Sequence, residues 1–453
     1  MGWRRCLAFS LVWTIALTGA PAPAAIITVG PDGTHADLQS AVTTALGMPG
    51  ADELRVQSGT INGTTLIIGN LAANDLSISG GWDASFASQG AATVLDALSA
   101  GRVLSAQLTG GNLLLTRMQM RGGNSVAQAA TLMLSLSGTA SAIVGELSLS
   151  DSTSSATDGG CVQISAGDDS FVSFYDSEIR NCTNTHSTVA FGVGLKVLSQ
   201  QRAQVILDHL SLSSLLAQGL SQAEGTAVNL IGQGQGRISG RQIAIHSTST
   251  DAAAVFGTAL AASASANSLI SLTRLDLRDN LAPAAAMSSS QLAISVDDQA
   301  SVSVSSSLIH SGPQSGITIT GSSSLALADL SNLTVVNHSS RALHVFGSPS
   351  VAVHNTIFED NGIPSSLAAT SASHNLGSDL GLASPTFRGA NDYRLAQGSA
   401  GIDAGTTLVP SGLAVEDLPG SDRVQGLTVD IGAYEFTPDQ ILRNGFESAG
   451  LAP

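Results

Sequence analysis

One short phrase recurs along the chain: a mostly apolar residue, an outward residue, a second apolar residue, then polar positions rich in Asn, Asp, Ser and Gly. It reads Met118-Gln-Met120, Leu147-Ser-Leu149, Ser177-Glu-Ile179, Leu210-Ser-Leu212, Ile243-Ala-Ile245, Leu275-Asp-Leu277, Ser307-Leu-Ile309, Leu333-Thr-Val335 and Asn355-Thr-Ile357. The second apolar positions are spaced by 29, 30, 33, 33, 32, 32, 26 and 22 residues. Period-two alternation is the signature of a strand, and a drifting repeat of this size is that of a solenoid whose turns carry insertions. Neither the Leu signature of leucine-rich repeats nor helical spacing is present. The pattern predicts an all-β chain: a single-stranded right-handed parallel β-helix with three short strands and three turns per coil.

Earlier segments (Leu54-Arg-Val56, Leu66-Ile-Ile68, Leu76-Ser-Ile78, Val103-Leu104) extend the series. About eleven coils are expected, a rod of roughly 50 Å at one interstrand spacing per coil. A solenoid's open ends need caps. Residues 37–46 carry helical spacing (Leu38, Ala41, Val42, Ala45) behind a start at Thr34, and are read as a short N-terminal capping helix.

The first 25 residues read as a secretory signal: Arg4 and Arg5, an apolar run from Leu7 to Leu17, and small residues from Ala20 to Ala25. Residues 26–384 are assigned to the β-helix with its cap, 385–436 to a C-terminal module and 437–453 to a tail. No later stretch is long and apolar enough to span a membrane. Formal charge is −16, and −18 once Arg4 and Arg5 are removed; Lys196 is the sole lysine. Such a surface excludes nucleic acid and anionic membranes as partners and suits solubility outside the cell. Cys161 and Cys182 are separated by a little less than one repeat, so they fall on neighbouring turns, either as a disulfide or as two buried thiols.

The C-terminus resembles a known module. Asp392-Tyr-Arg-Leu395, Ser399, Ile402-Asp-Ala-Gly405, Asp417-Leu with Gly420 and Arg423, and Asp430-Ile-Gly-Ala-Tyr-Glu435 follow the order of the choice-of-anchor Q domain. That domain closes secreted bacterial β-helix proteins of the pectate-lyase-like superfamily. The family's Ser-Pro is Ser399-Ala400 here. Ser79-Gly-Gly-Trp82-Asp, Thr93-Val-Leu-Asp96 and Asp158-Gly-Gly-Cys161 with Ile179-Arg-Asn-Cys182 are similar to early coils and a paired-cysteine coil of the same proteins, and Ile441 to Glu447 to a tail found in some Gram-negative secreted proteins. The resemblance implies the fold, export, and an extracellular or outer-surface location in a Gram-negative bacterium (or its periplasm). It implies no activity, because the superfamily mixes enzymes with adhesins.

The repeat aligns one outer stripe: Gln119, Glu178 and Asp276 between the apolar marks, Arg121, Arg180, His246, Arg278 and His310 just after them. A uronate lyase needs a base and a cation to neutralise the carboxylate, and a glycosidase two spaced carboxylates. The stripe is therefore a candidate glycan groove, or else a solvated face with local ion pairs. Asp168-Asp169 and Asp297-Asp298 offer carboxylates to Ca²⁺ or, more simply, build turns. Within the C-terminal module Asp403, Gly405, Asp430, Gly432 and Glu435 are read as turn and capping residues of a unit that closes the stack. No nucleophile motif and no metal-ligand spacing appears, so no cofactor is called for. The sequence reading is a secreted or surface β-helix acting as a non-catalytic glycan- or surface-binding scaffold, with a polysaccharide or cell-surface glycan as partner. The alternative is a polysaccharide lyase or glycosidase. No oligomeric state is specified.

Overall fold

The computed structural model describes residues 24–283, 289–312, 315–364 and 369–437. The leader and the tail motif at 441–447 lie outside them. The chain winds as a right-handed parallel β-helix, with 27 strands in one continuous sheet. Three ladders run along it. Face 1 begins at Ile26–Val29 and Asp52–Gln57 and ends at Ser371–Ser373. Face 2 begins at Gly59–Asn62 and ends at Ile357–Glu359. Face 3 holds Leu132–Leu136, Val162–Ala166, Leu195–Ser199, Val228–Gly232, Leu260–Ala264, Ser290–Val296, Ser315–Gly321 and Leu343–Gly347.

On face 2 ten successive pairings link eleven rungs, about 48 Å at the usual interstrand spacing. Ile179, Leu212, Ile245 and Leu277 are consecutive register partners and are fully buried. Stacking aliphatic side chains this way removes each from water on both neighbours, a gain of about 1.5–3 kcal/mol per large side chain.

The corners follow from backbone chemistry. Faces 1 and 2 join through one left-handed residue per coil: Arg117, Glu146, Asp176, His209, Gln242, Arg274, Ser306, Asn332 and Asn355, with φ between 45° and 59°. Non-glycine residues pay roughly 1–2 kcal/mol there, and parallel ladders on both sides hold them in place. Face 2 ends on a second such column, Asp151, Asn181, Ser214, Ser247, Asp279, Ser311, Asn337 and Asp360. Short polar residues tolerate this conformation best, which is why Asn, Asp and Ser follow the apolar marks in the sequence.

The helix α1 spans Leu38–Leu46 and buries Leu38, Ala41, Val42 and Ala45 against the first coils. It starts at Asp37, not Thr34. The Asp37 carboxylate accepts from Ser40 N at 2.8 Å, the preferred way to satisfy a first-turn N–H, while Thr34 N donates to Thr28 Oγ1 in the preceding loop. Cys161 and Cys182 are joined, with Cα atoms 5.9 Å apart. Both are fully buried, one entering face 3 of a coil and the other leaving face 2 of the next.

The C-terminal module departs from expectation. It does not close the stack but folds back along the side of the last coils, over the corner between faces 1 and 2. The left-handed corner residues hold it. Arg274 Nε donates to Leu418 O at 3.0 Å and Ser306 Oγ to Glu416 O at 2.8 Å. Asn332 Nδ2 donates to Asp430 O at 3.1 Å and Asn355 Nδ2 to Thr406 O at 2.7 Å. Outward side chains of face 2 turn apolar beneath it: Leu308 and Val336 pack with Tyr393, and Ile357 with Leu395 and Ile431. The end of the stack is covered instead by residues 371–380, where Ser371–Ser373 adds a last rung and Leu380 packs on the core.

Candidate functional site

The stripe residues occupy one register, as Gln119, Ser148, Glu178, Ser211, Ala244, Asp276 and Leu308 pair in order, and likewise Arg121, Ser150, Arg180, Ser213, His246, Arg278 and His310. They do not converge on a groove. Arg121 pairs with Asp96 at 2.9 Å, Arg180 with Glu178 at 3.6 Å and Arg278 with Asp276 at 2.7 Å. Arg121 and Arg180 lie two rungs apart, about 10 Å. Gln119 and Glu178 line a shallow depression with Glu146, Asp176 and His209. Asp276, by contrast, is closed in by Tyr434 of the C-terminal module. Burial raises the Asp276 pKa and lowers that of His310, whose ring lies 5.2 Å from Tyr393.

The acidic pairs are committed to turns. Asp168 Oδ2 accepts from Gly138 N at 2.8 Å, Asp169 pairs with Arg202 at 2.6 Å, and Asp297 and Asp298 accept from Ser322 N and Ala266 N of adjacent coils. Among the described residues no group of three or more His, Cys, Asp and Glu side chains is placed to hold a metal ion.

In the module, Arg423 is buried among carboxylates. It lies 3.2 Å from Glu435 and donates to Ala433 O at 3.0 Å. Glu435 Oε1 accepts from Asp430 N, Asp430 Oδ1 from Asp403 N, and Asp403 Oδ1 from Thr428 N. Burial pushes Glu435 up to about 7. Gly405 and Gly432 sit where the module meets the helix: Gly432 N donates to Asn355 O at 2.8 Å, and a Cβ there would come within 2.7 Å of Ile357 Cδ1. These side chains are spent on the module's own turns.

A trough with an aromatic wall lies on face 3, away from the stripe. The loops between faces 2 and 3 lengthen in the middle coils and pair into a three-stranded parallel sheet, Val189–Phe191, Gln222–Glu224 and Ala254–Phe256. After each strand the chain reverses at Gly192, Gly225 or Gly257, with φ of 62°, 55° and 72°. A Cβ at any of these would collide with the carbonyl of Leu195, Val228 or Leu260, so glycine is required. The small sheet overhangs face 3 and walls a trough of about 250 Å³.

The floor is built of small outward residues: Ala261, Ala293 and Thr318 in one register, Ser263, Ser295 and Thr320 in the next. Glu224 and Phe256 stand over one end. One rung beyond the other end are His344 and Phe346, with ring centroids 3.9 Å apart. From Ala261 to His344 is three interstrand steps, about 14 Å. Burial raises the Glu224 pKa. Behind it Lys196 Nζ lies 2.5 Å from Asp158 Oδ1 and 5.0 Å from the Phe191 ring centroid, tying the overhanging sheet to face 3. Buried Gln163 Oε1 and Asn229 Oδ1, the register neighbours of Lys196, have no hydrogen-bond partner.

A floor of hydroxyls and methyls between aromatic side chains suits a chain of sugar rings: the aromatic faces cover the C–H side and the hydroxyls exchange hydrogen bonds. The sequence carried a signal for it in Leu260-Ala-Ala-Ser, Leu292-Ala-Ile-Ser and Ile317-Thr-Ile-Thr. Reading one strand per coil passed over it.

No helix among the described residues is long and apolar enough to cross a membrane. No protein-family model matches the sequence, and no curated protein matches it. Among solved structures, a crystal structure of the pectate lyase Pel9A aligns with 13% identity and a TM-score of 0.45, over 92% of this chain and 97% of that one. At that identity no residue's role transfers.

Proposed function

We propose that this protein is an exported β-helix that binds a polysaccharide or cell-surface glycan without cleaving it, along the trough of face 3. The observation that carries this reading is the trough's composition: three rungs of Ala, Ser and Thr between Phe256 and Phe346, with Glu224 as its flanking carboxyl. Hydrolysis calls for a second carboxyl across the scissile bond, whereas Glu224 is the single carboxyl in the trough lining. The arginines of the stripe, each held by a carboxylate, favour a structural role over proton abstraction. The reading further takes residues 1–25 as a leader and 385–436 as a choice-of-anchor Q module, in a protein displayed outside a Gram-negative cell.

One observation favours a second reading, a polysaccharide lyase: Lys196, the sole lysine, stands behind Glu224 and would be the base. A glycan panel scored for both retention and new unsaturated ends separates the two. Binding predicts retention that falls in Phe256→Ala with no new ends. Unsaturated ends that vanish in Lys196→Met would establish the lyase, and a panel showing neither retention nor new ends on any glycan would sink both.

A further inference from the structure

The chain's sole lysine is a buried one. Lys196 lies on face 3 and is 8% exposed. Its Nζ lies 2.5 Å from Asp158 Oδ1 and 5.0 Å from the centroid of the Phe191 ring. Asp158, Phe191 and Glu224 follow one register along the small overhanging sheet, and Gln163, Lys196 and Asn229 follow one register along face 3. The amine therefore sits against an aromatic wall between two carboxyls, one rung to either side. Asn229, its register neighbour, donates from Nδ2 to Glu224 Oε1 at 3.4 Å.

A buried ammonium is a weak way to hold two coils together. Desolvation offsets most of the attraction of a buried ion pair, and Asp158 is partly open to solvent, which screens it further. Of the basic side chains, lysine is the one that can lose its proton and act as a nucleophile, whereas a guanidinium stays charged. Burial raises the Glu224 pKa, which favours its protonated form. An amine, a carboxyl and a neighbouring acid in a partly dry corner are the parts of a condensation. Fixed contact between the first two supplies an effective concentration on the order of 10⁵ M or more.

We infer that Lys196 and Asp158 form a self-modification site, in which Nζ and Cγ condense to an intramolecular amide with Glu224 as the proton relay. The ion pair first passes one proton from Nζ to the Asp158 carboxylate. The free amine attacks Cγ, and the N–C bond forms. Glu224 donates its proton to an Asp158 oxygen and recovers one from Nζ. One Cγ–O bond breaks, and a single water leaves through the open edge of Asp158. A cation and an anion become one neutral amide, and no oxidant or co-reactant is needed. The bond ties the loop ahead of Cys161 to the following coil through a link that a reductant leaves intact. It holds whether or not a glycan occupies the trough. An acylated Lys196 has no basic amine, so the amide and the lyase reading exclude each other.

The test uses the full folded chain, afterwards denatured, reduced and alkylated so that the Cys161–Cys182 bond no longer joins the same peptides. Lysyl endopeptidase has one target, Lys196, and should leave the chain uncut. Trypsin should yield residues 122–180 still joined to 181–202, lighter than their sum by one water in mass spectrometry. Asp158→Ala should restore the cut and part the peptides. Glu224→Gln, checked for fold by circular dichroism, should slow linking about 100-fold or more, the usual worth of a placed acid–base group. Complete cleavage after Lys196 in the unmodified sequence overturns the proposal, as does a link that survives Asp158→Ala. Linking at an unchanged rate in Glu224→Gln overturns the relay.

Discussion

The middle and the last coils share one ladder and one interior but differ in what lies outside. In Gln204–Ser213 the outward residues Gln204, Ile206, Ser211 and Ser213 retain access to solvent while Val205, Leu207, Leu210 and Leu212 are buried. In Leu327–Val336 nearly every residue is buried, and the outward Thr334 and Val336 lie beneath the C-terminal module. The difference shows what period-two alternation reports. It marks a strand with one wet side, and it fades where a second layer covers the other side. The change from Leu210-Ser-Leu-Ser to Leu333-Thr-Val-Val is the sequence trace of the module lying alongside.

The largest test of this contrast is Arg423→Ala. It removes the guanidinium buried between Glu435, Asp417 and Asp430, and uncompensated buried charge costs about 3–5 kcal/mol. The module should become protease-sensitive while residues 26–384 keep their far-ultraviolet circular dichroism; loss of both together would join what the contrast separates. A smaller effect is expected from Leu308→Ser, about 1.5–3 kcal/mol of docking from lost burial. The mirror change Ser211→Leu, at the same register position in an uncovered coil, should shift stability by no more than about 0.5 kcal/mol. Equal effects in denaturant melts would erase the distinction between the coils.

A further effect is in pH. Glu435 is held near 7 against 4.5 unfolded, so the folded module keeps its proton longer than the unfolded chain does. That contribution is fully present below about pH 4.5 and is lost as pH rises through 7. Thermal melting of the module should fall across this window, and Glu435→Gln should flatten the fall. An unchanged slope in the variant would place the titration elsewhere.

Much of the fold was legible because its causes are local. Ile179, Leu212, Ile245 and Leu277 alternate and repeat, and the left-handed corners select Asn, Asp and Ser. Leu38, Ala41, Val42 and Ala45 announce a helix, although Asp37 outcompeted Thr34 for its start. The place of the module was not legible. Its own turns, through Asp403, Asp430 and Glu435, are local, but docking depends on Arg274, Ser306, Asn332 and Asn355, which lie between 51 and 144 residues away from their partners. The trough escaped for the same reason. Glu224 and Phe256 become a wall only when loops of successive coils pair, and the contraction of the repeat from 32 to 26 and 23 residues marks where those loops shorten. The last mark falls on Phe358, which pairs with Val335, and not on Ile357, which turns outward under the module. Lys196 was visible as a lone charge, yet its tie to Asp158 spans 38 residues.

The account rests most heavily on the module lying against the side of the helix, and a cysteine trap addresses it directly. Arg241 Nη1 lies 3.9 Å from Glu416 Oε2 and both side chains reach solvent, so Arg241→Cys with Glu416→Cys should join rapidly through a short bifunctional maleimide, and Ser148→Cys with Glu416→Cys, several rungs away, should not. Failure of the first pair to cross-link in folded protein, or equal cross-linking of both, would contradict a module docked over that corner.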